Sequence, residues 1–244
     1  MNENLKQDLK QLECVGNVAH LPKTPLNDYA GLKKMLTKAN GKYKKNTFEF
    51  PYPAQAIINR LLSGEVIDFK KEFQFFPTPP EMCEILVNQV LWNKENMEIL
   101  EPSAGHGALI DEILKRQPGA NIDAVELSHL NFEVLLDKYK KENMTITQGD
   151  FLDLRFSKKY DLIVANPPFS KNQDIDHVKK MYELLNEGGQ LISIMSTSWT
   201  FGQQKKQIEF REWIEENGMY IENGQGSFKT SGTMVNTVLV TITK

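Results

Sequence analysis

Asn166-Pro167-Pro168-Phe169 joins residue types that make a poor core and a good clamp. The tetrad follows an apolar run, Asp161-Leu162-Ile163-Val164-Ala165, that reads as a buried parallel strand delivering it to the strand's carboxyl end. A planar group carrying an NH2 suits such a clamp. The Asn oxygen and a nearby main-chain carbonyl each accept one amino hydrogen, and the ring stacks on the plane. The two prolines hold these groups in place with no ordering cost at the moment of reaction. Taken alone, Pro-Pro also serves as a simple helix breaker, so the neighbouring motifs decide the reading.

Three further polar motifs fall where strands are expected to end. Glu101-Pro102-Ser103-Ala104-Gly105-His106-Gly107 follows the apolar run Met97–Glu101, and its glycines let the backbone approach a ligand closely. Glu126 lies 21 residues after Gly105 and closes the next expected strand, Asn121–Glu126, where a carboxylate can accept both hydroxyls of a ribose. Gly149-Asp150-Phe151 closes a third, Met144–Gln148. There Asp150 can accept an adenine amino group while Phe151 or Leu127 packs on the ring. A dinucleotide fingerprint would place a third glycine where Ile110 stands, and no P-loop pattern occurs, so an adenosyl ligand without phosphates, such as S-adenosylmethionine, fits best.

The elements that must position these residues alternate. Thr78-Pro79-Pro80-Glu81 reads as a helix start, with Thr78 as N-cap, Pro at the first position and Glu81 completing a capping box; that helix runs to about Trp92. Helices are expected after the glycine loop (Leu109, Ile110, Ile113 and Leu114 facing inward), over Leu130–Lys141, over Asp174–Asn186 with Gly188-Gly189 at its end, and over Lys205–Asn217. Gln190–Ser196 and Asn236–Thr243 read as further strands. Such alternation means a parallel sheet with helices on both faces and a ligand site at the strands' carboxyl ends. Residues 1–70 are expected to form short helices and loops, one helix being Ala54–Leu62, and residues 71–244 the main domain.

The 244 residues, 40% hydrophobic and 25% charged, can bury the core of one sizeable α/β domain with an appendage. No run approaches a membrane span and no signal-peptide pattern is present, so a cytoplasmic protein without membrane partners is expected. Cys14, Cys83 and four scattered histidines offer no metal-ligand spacing, so no metal is expected. The net charge of −3 divides unevenly: residues 1–71 carry 12 Lys+Arg against 7 Asp+Glu, with lysines concentrated at Lys33, Lys34, Lys38, Lys42, Lys44 and Lys45. That cluster is either a contact surface for a phosphate backbone or a solvated face. His106 reads as an incidental exposed side chain, and Trp199 and Phe201 as packing residues or a base-stacking wall.

In this order the motifs resemble the class I S-adenosylmethionine-dependent methyltransferases, and among them the amino-methylating DNA adenine group of the gamma arrangement. The resemblance is carried by Phe76-Pro77-Thr78-Pro79-Pro80, Glu101–Gly107, Val125-Glu126-Leu127, Gly149-Asp150-Phe151 and Asn166-Pro167-Pro168-Phe169. The stretches Asn166–His177 and Gly226–Gly232 are similar to phage and mobile-element methylases. The resemblance covers about residues 72–244 and implies a Rossmann-like, seven-stranded, mostly parallel sheet with a small helical N-terminal extension. It implies S-adenosylmethionine as cofactor, S-adenosylhomocysteine as product, and a cofactor site of Phe76, Thr78, Glu101, Ser103, Ala104, Gly105, Gly107, Glu126, Leu127, Asp150, Phe151 and Asn166. It implies that Asn166, Pro167, Pro168 and Phe169 bind and methylate the N6 amino group of adenine in DNA. Lys33, Lys34, Lys38 and Lys229 are candidate nucleic-acid contacts. No sizeable C-terminal target-recognition domain is present, so a partner could supply specificity. Alternatives are an RNA adenine or guanine amino-methyltransferase, a protein glutamine methyltransferase, and a non-catalytic accessory protein that binds nucleic acid or S-adenosylmethionine.

Overall fold

The computed structural model describes residues 1–64, 78–140, 143–222 and 236–244. The chain forms two compact units, Met1–Gln74 and Phe75–Lys244.

In the first unit, helices α1 (Glu3–Lys10), α2 (Tyr29–Lys38) and α3 (Ala54–Leu62) accompany strands β1 (Glu13–Val15), β2 (Val18–His20), β3 (Lys42–Lys44) and β4 (Thr47–Glu49). The strands form an antiparallel sheet in the order β1-β2-β4-β3. Helices and loops were expected here; the sheet is additional, because three-residue strands are too short for alternation to register. Leu9, Leu32, Leu36, Phe48, Ile57 and Ile58 form buried core positions. Asp8, also buried, accepts the main-chain N–H groups of Asn27 and Asp28 and the Asn27 side-chain amide, tying α1 to the start of α2.

The second unit begins with α4 (Pro80–Asn88) and alternates through β5 (Glu98–Glu101), α5 (Ala108–Arg116), β6 (Asn121–Glu126), α6 (His129–Lys138), β7 (Met144–Gln148) and β8 (Tyr160–Ala165). It continues with α7 (Gln173–Glu183), β9 (Leu185–Ser196), α8 (Ser198–Phe201), α9 (Lys205–Asn217), β10 (Gly218–Glu222) and β11 (Thr237–Thr243). The seven strands lie in the order β10-β11-β9-β8-β5-β6-β7. β11 alone runs opposite to the other six, antiparallel to both β10 and β9. Residue alternation divides the core into two layers. Ile99, Leu162, Val164 and Ile192 face α4, α5 and α6, whereas Leu100, Ile163, Ala165 and Leu191 face α7 and α9. Both faces of the sheet's centre are covered, which is why β8 reads as a continuous apolar run. The strand order reverses beside β5, and an open α/β sheet binds its ligands at that crevice.

Two expectations are corrected. Helix α4 is capped at Pro79 without a side-chain cap, so Thr78 is not its N-cap and Glu81 completes no capping box. Gly188-Gly189 does not end a helix but lies within β9, whose register with β8 shifts between Tyr160 and Leu162. A Cβ on Gly189 would stand 2.9 Å from the Tyr160 carbonyl, and the Gly188 N–H donates to the Lys244 carbonyl. These glycines therefore serve the sheet's irregular start.

Candidate functional site

Glu101, at the end of β5, is 2% exposed, and its Oε2 has no hydrogen-bond partner. Burial, reinforced by the nearby Glu126 carboxylate, pushes its pKa up to about 8. An orphaned, buried carboxylate oxygen at a strand's carboxyl end is a receptor for a cationic group.

The loop from β5 to α5 is sewn to β6. The Ala104 N–H donates to the Val125 carbonyl, and the Gly105 N–H donates to Glu126 Oε2 at 2.7 Å. Gly105 has φ of +54°, a conformation that a side chain at this position would resist. Gly107 is also left-handed, but its reason is packing: a Cβ there would stand 2.3 Å from the Tyr139 hydroxyl, which donates to the Gly107 carbonyl.

Glu126 is buried and accepts further bonds through Oε1, from the Ser128 N–H at 2.7 Å and Asn131 Nδ2 at 3.2 Å. Burial raises its pKa while these donors, and Gly105, oppose the rise. Ser128 and Asn131 were missed by sequence reasoning, although Ser128 carries a visible signal as the N-cap of α6. Replacing Glu126 by Ala would leave buried donors without an acceptor. Glu126→Ala is expected to lose about 1–3 kcal/mol of stability as well as cofactor affinity, checked by urea denaturation beside calorimetric titration. A variant of wild-type stability would show that the loop closes without this carboxylate.

Asp150 follows β7 and is half-buried, with Oδ1 accepting the Leu152 N–H at 2.9 Å. The structure separates the two apolar candidates for the adenine ring. Leu127 is 61% exposed beside Glu126, whereas Phe151 is 2% exposed and packs on Phe156 and His177. The Phe151 side chain thus belongs to the core, and Leu127 is the apolar side chain that stands open beside Glu126. Behind it, Lys180 Nζ donates to the carbonyls of Phe151, Leu152 and Leu154 at 2.7–2.8 Å, fixing the turn that carries Asp150.

The clamp emerges from β8, which pairs with β5 through Leu100 and Ile163, so the glycine loop and the tetrad leave adjacent strands. Asn166 Nδ2 donates to Thr78 Oγ1 at 3.0 Å. The Thr78 side chain that does not cap α4 therefore orients the clamp amide, with the acceptor Oδ1 on the edge opposite the donor. Pro167 is buried, while Pro168 and Phe169 are half-buried, Phe169 packing against the α4–α5 layer. After the tetrad, Lys171 and Asn172 take left-handed conformations, φ 56° and 57°, which ordinary residues adopt at a cost. Polar bonds hold this turn: Asn172 Nδ2 donates to Gln204 Oε1, Asn172 Oδ1 accepts from Gln207 Nε2, and the buried Asp174 accepts both the N–H and hydroxyl of Ser196.

The remaining candidates divide. Ser103 is half-buried and Ala104 buried in the glycine loop. His106 is half-buried, not an incidental exposed side chain; burial lowers its pKa and Asn131 lies beside it. Trp199 is sealed against Phe210 and Tyr220, whereas Phe201 is 68% exposed, so the two do not form one wall. Lys33, Lys34 and Lys38 belong to the first unit. Phe76 and Lys229, with the Gly226–Gly232 stretch, lie outside the described residues. Among the described residues no metal-binding cluster occurs, and no helix is long and apolar enough to cross a membrane.

Comparisons with known proteins bear on the family and the fold. Residues 82–221 match the family model described as Methyltransferase small domain. The type II methyltransferase M.AccI of Acinetobacter calcoaceticus is 31% identical over 48% of this chain and 22% of its own length. The modification methylase CviBIII of Paramecium bursaria Chlorella virus NC1A is 42% identical over 41% of this chain and 27% of its own. The chain thus spans about a quarter of the length of these relatives. The type I restriction-modification methyltransferase subunit from Streptococcus thermophilus superposes with a TM-score of 0.63 at 15% identity, covering 79% of this chain and 53% of that one, a likeness of fold. Other relatives include malonyl-[acyl-carrier protein] O-methyltransferases, a release factor glutamine methyltransferase and a tRNA adenine-N6 methyltransferase, so the match does not single out one acceptor. What it does fix is the lineage: the chain belongs to the methyltransferase small domain family, with the class I fold and S-adenosylmethionine as cofactor.

Proposed function

We propose that the protein methylates the exocyclic N6 amino group of adenine in DNA. The observation that carries this reading is the hydrogen bond from Asn166 to Thr78, which orients the amide of an Asn-Pro-Pro-Phe clamp beside the glycine loop. When bound, S-adenosylmethionine supplies an electrophilic methyl group on a sulfonium. Glu101, with its orphaned oxygen, and Thr78 with the Ser103–Gly107 main chain would hold the methionine end. Glu126 would hold the ribose, and Asp150 and Leu127 the adenine.

The adenine N6 lone pair is delocalised into the ring and is a weak nucleophile. Asn166 Oδ1 and the Pro167 carbonyl accept the two amino hydrogens and draw the nitrogen toward a tetrahedral shape. Those hydrogens become more acidic as the new bond forms, so the two acceptors gain most in the transition state. No strong base is needed first, because the proton leaves after transfer. Phe169 stacks on the target base, which must be single-stranded or flipped from a duplex. The choice of DNA is supported by the type II methyltransferase and the modification methylase among the relatives. An RNA adenine acceptor is the second reading, favoured by the tRNA adenine-N6 relative, 38% identical over 31% of this chain.

The test is transfer of labelled methyl to duplex DNA, single-stranded DNA, ribosomal RNA and lysate protein. Label recovered as N6-methyladenine in DNA is expected. Label confined to RNA or protein would keep the clamp chemistry and overturn the substrate.

A further inference from the structure

From the first unit we infer a nucleic-acid docking surface, built on α2 and the β3–β4 hairpin, that holds the phosphate backbone independently of the clamp. Its assignment to nucleic acid rests on the adenine reading above. Its position does not: the family match begins at residue 82, so the matched residues supply none of it.

Residues 29–48 contain six lysines and no carboxylate; the acid of the hairpin, Glu49, pairs with Lys42 at the end away from the tip. All six, Lys33, Lys34, Lys38, Lys42, Lys44 and Lys45, are exposed, and none forms an ion pair with a described residue. Leu32 and Leu36 turn inward on α2, which leaves Lys34 and Lys38, one turn apart, on its outer face. Solvated lysines on a surface usually alternate with acids; a stretch of one sign raises a local potential that attracts a polyanion.

Two features show construction beyond a lysine-rich composition. Tyr43, 45% exposed on the edge strand β3, receives Lys33 Nζ over its ring at 4.9 Å and packs at a tilt on Phe48. Tyr29, 42% exposed, lies beside Tyr43. The aromatic pair thus joins the helix to the hairpin and restrains one cation, lowering the ordering cost of a contact. At the hairpin tip, Lys45 and Asn46 both have positive φ, 45° and 67°. Such a two-residue turn favours Asn or Gly at its first position. A lysine there keeps a charge at the most projecting point despite the backbone's preference. Along β3, Lys42 and Lys44 point away from the face on which Tyr43 meets Lys33, so α2 and the hairpin offer two groups of ammoniums to phosphate oxygens spaced along a backbone. No base-reading arginine fork occurs in residues 29–48. The contact is therefore independent of sequence.

The test is fluorescence anisotropy of the full chain with a labelled mixed-sequence duplex over a salt series. Lys33→Gln/Lys34→Gln/Lys38→Gln and Lys42→Gln/Lys44→Gln/Lys45→Gln are compared with wild type, their folding checked by circular dichroism. Each lost phosphate contact lowers the slope of log K against log salt by about 0.9, so each triple variant is expected to lose roughly 2–3 from it. Asn166→Ala is expected to keep the wild-type slope. Unchanged slopes in both triple variants overturn the surface, even if N6-methyladenine is formed. So does binding to vesicles of anionic lipid with none to nucleic acid. Label found on RNA, with the lysine-dependent slope intact, overturns the DNA substrate and supports the surface.

Discussion

Asn166→Ala is expected to lower kcat for methyl transfer by about 10²–10³-fold, the range measured when one donor that stabilises transition-state charge is removed. Two losses combine in it. The Oδ1 acceptor disappears, leaving the target nitrogen with only the Pro167 carbonyl. The hydrogen bond to Thr78 also disappears, freeing the segment that enters α4. Cofactor affinity, measured by calorimetry, should fall far less than kcat, because Glu126 holds the glycine loop independently of the clamp and only the Thr78 contact is loosened. Thr78→Val separates the two losses: it keeps the Asn166 acceptor and removes its orienting partner, so it should lower kcat less than Asn166→Ala while leaving the fold intact. Full activity in Asn166→Ala would remove the clamp mechanism altogether.

Glu101→Gln should strengthen the free protein and weaken its hold on the cofactor. The Glu101 pKa stands at about 8 against an ordinary 4.5. Between these values the folded state keeps a proton that the unfolded chain has released, so wild-type stability falls as pH rises through that window. Each unit is worth about 1.4 kcal/mol, so the variant should exceed wild type by an amount of order 4 kcal/mol near pH 8, with no difference at pH 4. Denaturant titrations at several pH values would read this directly. Binding shows the opposite sign. A cation placed against Glu101 favours the ionised form, so wild type should release a proton on binding at pH 7, visible as a dependence of the calorimetric heat on the buffer. Glu101→Gln should release none and bind roughly 10–100-fold more weakly, the loss of a buried charge-assisted bond of about 1.5–3 kcal/mol. Equal affinity in the variant would exclude Glu101 from the cofactor site.

The second unit was legible because its strands are covered on both faces. Leu162–Ala165 appears as an apolar block ended by a polar motif and falls within β8, and the expected strand Asn121–Glu126 has the bounds of β6. Helices Ala54–Leu62 and Lys205–Asn217 have the bounds their periodicity predicts. What escaped is informative. β10 escapes because Met219-Tyr220-Ile221 is apolar without alternation, although Met219 and Ile221 are exposed while Tyr220 packs on Trp199. Thr78 was read as a cap because spacing along the chain shows local partners only. Its actual partner, Asn166, stands 88 residues away. Phe151 and Leu127 were interchangeable in sequence, since burial is a property of the assembled layers. The orphaned oxygen of Glu101 was equally invisible, because a carboxylate at a strand end is ordinarily wet.

Helix α7 carries Asp174 at one end, bonded to Ser196 after the clamp turn, and Lys180 near the other, bonded to three carbonyls of the Asp150 turn. Six residues of α-helix separate these anchors by about 9 Å, and the buried side chains between them, Ile175 and Val178, leave it little freedom to bend. In the function proposed above, one stiff helix thus braces both the turn that would meet the adenosine and the turn that follows the clamp. Any factor by which the donor then changed acceptor affinity would be returned by the acceptor to the donor, because linkage is reciprocal.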